Sequence, residues 1–123
     1  VRGWDRSNSI PLIYIPPDNL RAQLSVHPKE GGAFRENEIS ISGQYVFEQT
    51  RYEEGQDFLP PPDAYFLLGF NAKTGFRLGE THLDLNLRVE NTLNTAYRDY
   101  LNRLRYFADE MGVNVILSVN LTF

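Results

Sequence analysis

Two histidines and no cysteine set the limits of this chain's chemistry. Without a thiol there is no thiolate metal site, no disulfide and no catalytic cysteine. His27 and His82 lie in no HExxH pattern, so a metal site would need ligands converging from distant segments. Both fall beside turns on the polar side of alternating runs, as solvated side chains do. Lys73-Thr74-Gly75 matches one element of the serine β-lactamases, but the S-x-x-K and S-D-N companions are missing and the match is one of chance. Asn120-Leu121-Thr122 has the form of a glycosylation acceptor, again by chance, since it lies inside a strand-like run. Asp84, Arg88 and Glu90 share one face at period two. Two carboxylates there could do acid–base work. A charge ladder with Lys73 is the favoured reading, because no motif surrounds them. No constellation supports an enzyme, and none implies a cofactor or a metal.

One cluster could bind a ligand. Tyr97, Arg98, Tyr100, Arg103, Arg105 and Tyr106 fall within one connection and could hold an anionic or chelated ligand by cation–π and charge-assisted contacts. The competing reading is a loop packed on itself, with pairs to Asp99, Asp109 and Glu110. Loops of this length usually need such packing.

These residues must be carried by β-strands. The chain has 123 residues, enough for one ordinary domain. Its net charge of −4 and pI near 5.1 argue against a nucleic-acid partner. The longest apolar stretch, Ala64 to Phe70, is far short of the ~20 residues a spanning helix needs. Alternation of apolar and polar residues, the mark of a strand with two unlike faces, occurs five times. The runs are Leu20–His27, Ile39 onward to about Tyr52, Tyr65–Lys73, His82–Glu90, and Val113–Phe123, which closes the sequence on an aromatic. A shorter run, Ile10 to Ile15, reads as a strand end cut off by Pro16-Pro17.

The connections fix a meander. Arg77-Leu78-Gly79-Glu80 reads as a hairpin turn with Gly79 at positive φ. Setting Arg77 against Glu80 pairs Thr74 with Leu83, Ala72 with Leu85, Phe70 with Leu87 and Leu68 with Val89. It also sets Lys73 against Asp84 and Gly69 against Arg88. His27 to Arg35 is short. Glu53 to Asp63 and Asn94 to Gly112 are long. The spacing of Tyr97, Tyr100/Leu101, Leu104 and Phe107/Ala108, closed by Gly112, predicts a short helix over Tyr97–Glu110.

A soluble sandwich and a membrane barrel both show such alternation. The length of the run from Ile39, against a usual ~5–6 residues, and the alternation of short with long connections favour the barrel. Charges in mid-strand (Lys73, Asp84, Arg88, Glu90) suit a hydrated lumen. Parity then puts Glu53–Asp63 and Asn94–Gly112 outside the cell, and Pro28–Arg35 and Arg77–Glu80 in the periplasm. Five strands cannot close a membrane barrel, whose smallest form has about eight. The barrel reading therefore expects further strands or a partner chain that supplies them, and the sequence, which begins V-R-G-W without an initiator Met, reads as a fragment or a processed C-terminal piece.

The stretch from Leu83 to Phe123 resembles the C-terminal end of TonB-dependent outer-membrane receptors. Val89, Asn91, Asn94 and Tyr97 match the V-x-N-x-x-N-x-x-Y pattern that ends the penultimate strand. Gly112-Val113-Asn114 stands where a G-R-N-like element opens the last strand, with Val113 in place of its Arg. Upstream, Ile15-Pro16-Pro17 and Gln49-Thr50-Arg51 before an acidic loop are similar to recurring elements of the family. The resemblance implies an all-β fold: about five long antiparallel strands, incomplete on their own, within a barrel of about 22 strands around a plug. Residues 1–123 would be C-terminal strands, with the plug and the earlier strands supplied elsewhere. It implies a cell outer membrane, uptake of a ferric siderophore or other scarce chelate, and outer-membrane lipid as surroundings. The TonB energy-coupling protein would act through other segments. Val119, Leu121 and Phe123 would form the signal read by the barrel assembly machinery, though the signal's small Gly is absent from the final strand. The alternative is a soluble all-β ligand-binding module.

Overall fold

The computed structural model describes residues 2–123, with Leu78 by its backbone alone. The protein is all-β. A short ladder pairs β1 (Trp4–Asp5) with β2 (Ile10–Pro11). The main sheet is an antiparallel meander of β3 (Asn19–Val26), β4 (Phe34–Val46), β5 (Tyr65–Leu78), β6 (Thr81–Glu90) and β7 (Asn114–Thr122). Its strands lie side by side in chain order, and it is open, with β3 and β7 as its edges. No helix among the described residues is long and apolar enough to cross a membrane.

Register carries the sequence's alternation across the whole sheet. One row runs Leu24–Ile41–Phe70–Val89–Val115, and the next apolar row runs Val26–Ile39–Ala72–Leu87–Leu117. Between them, on the other face, lies Ser25–Ser40–Asn71–Arg88–Ile116, followed by Glu38–Lys73–Asn86–Ser118. A one-residue slip would exchange the faces, so the pattern itself pins the pairing.

The β5–β6 hairpin departs from expectation in its register. Its loop is the two residues Gly79-Glu80, with Leu78 paired to Thr81. Gly79 has φ 64°, at the first central position, where such a loop needs positive φ. Phe70 therefore faces Val89, Ala72 faces Leu87, Thr74 faces Leu85 and Asn71 faces Arg88, while Asp84 faces Gly75 and Lys73 faces Asn86. The expected pairing is off by two residues. A shift of two keeps every side chain on its face, so alternation alone could not detect it.

β4 departs at both ends. It starts at Phe34, earlier than expected, because one extra residue between Arg35 and Glu38 forms a bulge. Glu36 takes φ 50° there. The bulge reverses parity and brings Phe34 onto the face of Ile39 and Ile41, opposite Phe76. The strand stops at Val46 and does not reach Tyr52. Past it, the Phe47 N–H donates to the Asp18 carbonyl (2.9 Å), and the buried Gln49 side chain donates to the Ile15 carbonyl (2.7 Å).

The expected helix over Tyr97–Glu110 does not form. Only a single 3-10 turn, Arg103–Tyr106, is present. Side chains compete for the backbone: Asp99 accepts from the Leu101 N–H at 2.7 Å and Asn102 from the Leu104 N–H at 2.9 Å. The segment closes on itself instead, the Glu110 N–H donating to the Tyr97 carbonyl at 2.8 Å. Gly112 does not cap a helix. A Cβ there would collide with Asn94 Oδ1, which accepts from the Val113 N–H.

The sheet is a single layer whose apolar face is left uncovered. Among the described residues only Val46 and Tyr100 are apolar and buried, whereas Ser40, Gln49, Asn91 and Arg105 are polar and buried. Leu24 is 68% exposed and Leu117 66%, while Ser40, on the opposite face, is 6% exposed. In a water-soluble sheet the apolar face is the covered one.

Candidate functional site

Three regions carry the candidate residues. The first is the cluster of long connections at one end of the sheet. Asn91 anchors it: its amide donates to the carbonyls of Thr95 (2.9 Å) and Met111 (3.3 Å), and its oxygen accepts from the Thr95 N–H. Asn91 and Asn94 both take positive φ, near 50°, which Asn tolerates better than most residues. Tyr97 stacks on Tyr65 with ring centroids 4.5 Å apart. Burial, reinforced by the charges of Glu110 and Asp99, raises the Tyr97 pKa.

The six loop residues proposed from sequence do not share one open surface. Tyr100 and Arg105 are buried; Tyr97, Arg98 and Tyr106 are half-buried; Arg103 is exposed. Arg98 pairs with Asp109 at 2.6 Å and donates to the Arg105 carbonyl. Arg103 sits 5.9 Å over the Tyr14 ring. Arg105 lies between the rings of Tyr100 and Tyr106, 5.1 and 4.7 Å from their centroids. Its guanidinium donates to Asp57 (2.6 Å) and to the carbonyls of Leu59 and Pro60. Tyr106 donates to the other Asp57 oxygen.

Asp57 is the residue that sequence reasoning missed. It lies far from Arg105 in the chain, and no local spacing joins them. The alternation of connection lengths was the available signal, because it puts both long loops at one end. Burial opposes ionisation of Asp57, but hydrogen bonds from Tyr106, the Phe58 N–H and Arg105 outweigh it and hold the pKa below the ordinary carboxylate value. The same bond to Asp57, helped by burial, pushes Tyr106 up to about 12. Nearby, Arg51 bonds Asp18 at 2.8 Å and lowers its pKa.

The second region is the polar face. Arg21, Ser40, Asn71, Lys73, Asn86 and Arg88 are among the residues that line a trough of about 360 Å³. Lys73 bonds Glu36 at 3.1 Å, Arg88 lies 4.0 Å from Glu90, and Asp84 bonds His82 at 3.0 Å. Lys73, Asp84, Arg88 and Glu90 all fall on this face, as the alternation requires. The side-chain oxygens of Asn71 and Asn86 are buried without a partner in the chain. Among the described residues no group of three His, Asp or Glu side chains is placed to hold a metal ion.

The third region is the terminal strand. Val119 faces Leu85 and Leu121 faces Leu83, both on the apolar face. Phe123, just past β7, is 94% exposed. At this end of the face Phe34 and Phe76 pack with centroids 4.7 Å apart. At the other end Tyr45 faces Phe66 and meets Phe47 edge-on at 4.8 Å. Aromatic residues thus bound the apolar face above and below, and no charged residue of the sheet falls on it between them. No protein-family model, no curated protein and no solved structure matches this chain.

Proposed function

We propose that the chain forms C-terminal strands of a TonB-dependent receptor in the outer membrane of a Gram-negative bacterium, a transporter of a scarce nutrient such as a ferric siderophore or other metal chelate. The observation that carries the membrane part is the uncovered apolar face of the sheet, with an aromatic row at each end, opposite a polar face around a trough. Phe66 and Phe76 stand ten residues apart on β5. At ~3.3 Å per residue that is about 33 Å along the strand, or about 23 Å across the membrane at a tilt of ~45°. The lipid-facing band of outer-membrane barrels is ~25 Å tall, flanked by aromatic girdles. The interlocked long loops at one end and the two-residue turn at the other suit external and periplasmic rims.

The family, its cargo and its partners are proposed on the resemblance of Leu83–Phe123. The geometry adds a reason for three of the matched residues: Asn91 caps the end of β6, Asn94 occupies the space a Gly112 Cβ would need, and Tyr97 stacks on Tyr65. The plug, the remaining strands, the TonB protein and the assembly machinery are partners on the same ground. With Arg105 and Tyr100 buried and Tyr97, Arg98 and Tyr106 half-buried, Arg103 is the one of the six that remains exposed to a ligand.

Fractionation tests the membrane reading. The chain is expected to require detergent for a folded, dispersed state and to move into lipid vesicles when detergent is removed. A folded monomer in plain buffer overturns the reading and leaves the soluble all-β binding module.

A further inference from the structure

The net charge of the chain is concentrated at one end of the sheet. Residues 2–18, 47–64 and 91–113 meet there, through Arg51 with Asp18, Arg105 with Asp57 and Tyr14 with Tyr100. They carry ten Asp and Glu against six Arg, while the rest of the chain carries six charges of each sign. The whole net charge of −4 therefore lies at that end. We propose that the loop Tyr52–Pro60 is a binding site for an organic cation, an alkylammonium group on an apolar body. This deepens the reading above by naming the charge of the cargo, and it rests on that reading for the role of cargo.

The loop encloses a cavity. Tyr52, Glu53, Glu54, Phe58, Leu59 and Pro60 are among the residues that line about 300 Å³, room for a small ligand. Phe58 is 90% exposed, although its ring meets Tyr106 edge-on with centroids 5.8 Å apart. The face of such a ring is electron-rich and attracts an ammonium group laid over it. Asp57 also borders the cavity, but its carboxylate is already held by Arg105 and Tyr106 and accepts from the Phe58 N–H at 2.8 Å. It fixes the wall and leaves Glu53 and Glu54 as the charges a ligand meets.

The sign of the ligand follows from which charges are engaged. Arg51 bonds Asp18, Arg98 bonds Asp109, Arg105 bonds Asp57 and Arg103 lies over Tyr14. No Lys or Arg lines the cavity. Glu53 and Glu54 are exposed and enter no ion pair among the described residues. Two uncompensated carboxylates beside an aromatic ring repel anions and draw in cations. A bare metal ion does not suit the place, because it wants six or more oxygens and Leu59, Pro60 and Phe58 offer none from their side chains. These residues instead match an apolar body carrying the charge.

The test titrates the whole chain, in neutral detergent micelles, with benzyltrimethylammonium, benzyl alcohol and benzylsulfonate, and reads amide NMR shifts. The expected result is a saturable shift confined to residues 52–60 with benzyltrimethylammonium, and affinity about tenfold weaker for the neutral and anionic probes, the worth of one desolvated cation–π contact. Glu53→Gln with Glu54→Gln should weaken the cation severalfold, and so should Phe58→Leu, which keeps the bulk but loses the ring. All three positions are exposed, and unchanged amide shifts in β5 report that each variant is folded. Equal affinity for the three probes, no saturable shift in residues 52–60, or undiminished binding by the Gln variant overturns the inference. Insertion into vesicles without cation binding overturns it and leaves the membrane reading standing. Cation binding by a chain that folds as a monomer in plain buffer upholds the site and contradicts the membrane reading.

Discussion

The guanidinium of Arg105 lies 2.6 Å from a carboxylate oxygen of Asp57, and the two side chains are 3% and 9% exposed. This pair ties the two long connections into one body. Two aromatic rings flank the cation, and two carbonyls take further donors. Such a pair adds little over an apolar contact, but removing one partner strands a buried charge.

Arg105→Met should therefore lower stability by about 3–5 kcal/mol in denaturant unfolding. It should also open the segment around Asp57 to proteases. Arg105→Met combined with Asp57→Asn should recover part of the loss, because no unpaired charge remains. Equal losses in the single and double variants would show that the pair is not the clasp.

The clasp should also depend on pH at both extremes. The folded-state pKa of Asp57 is depressed, so its contribution is complete above the ordinary carboxylate value and is lost as pH falls through the folded pKa. Tyr106 is raised to about 12, so its contribution is complete below the ordinary tyrosine value near 10 and fades as pH rises toward 12. Protection factors of the amides in residues 53–63 and 94–112, taken relative to the intrinsic exchange rate at each pH, should stay high between these limits and fall beyond them. Ultraviolet difference titration of the protein against Tyr106→Phe should place one tyrosine's ionisation near pH 12.

At the start of β7 the chain should resist a methyl group. Gly112→Ala drives a Cβ into Asn94 Oδ1, which holds the Val113 N–H. A loss of about 1–3 kcal/mol is expected from this overpacking. Asn94→Gly tolerates the positive φ of that residue and clears the space, so the double variant should lose less than the sum of the singles. Strict additivity would contradict the assigned contact.

Much of the sheet was legible because alternation is a local property. All five strands of the sheet and the faces of Lys73, Asp84, Arg88 and Glu90 follow from period two, and the turn follows from the conformational freedom of Gly79. What escaped depends on partners far away in the chain. The β5–β6 register was misplaced by two because even shifts leave faces unchanged. Phe34 went unseen as a strand residue because the bulge at Glu36 reverses its parity. The Tyr97–Glu110 spacing looked helical, yet Asp99 and Asn102 bond the backbone locally, and the rings of Tyr97, Tyr100 and Tyr106 turn to Tyr65, Tyr14 and Phe58 while Leu104 and Phe107 stay exposed. In the candidate ligand loop, the residue types named its chemistry but not which cations were already engaged.

A charge should be tolerated on one face only. Leu85→Arg, on the apolar face near mid-strand, should cost about 2–4 kcal/mol in folding into bilayers. Asn86→Arg, its neighbour on the polar face, should cost far less. Similar costs at both positions would remove the distinction between a lipid face and a lumen face.

The most direct measurement of that distinction is depth-resolved quenching. Leu24→Cys, Ser25→Cys, Leu117→Cys and Ser118→Cys variants, each with the chain's only thiol, are labelled with a small fluorophore and reconstituted in vesicles containing brominated lipid. The account predicts strong quenching at positions 24 and 117 and several-fold weaker quenching at 25 and 118. Equal quenching at neighbouring positions, or a reversed pattern, would contradict it.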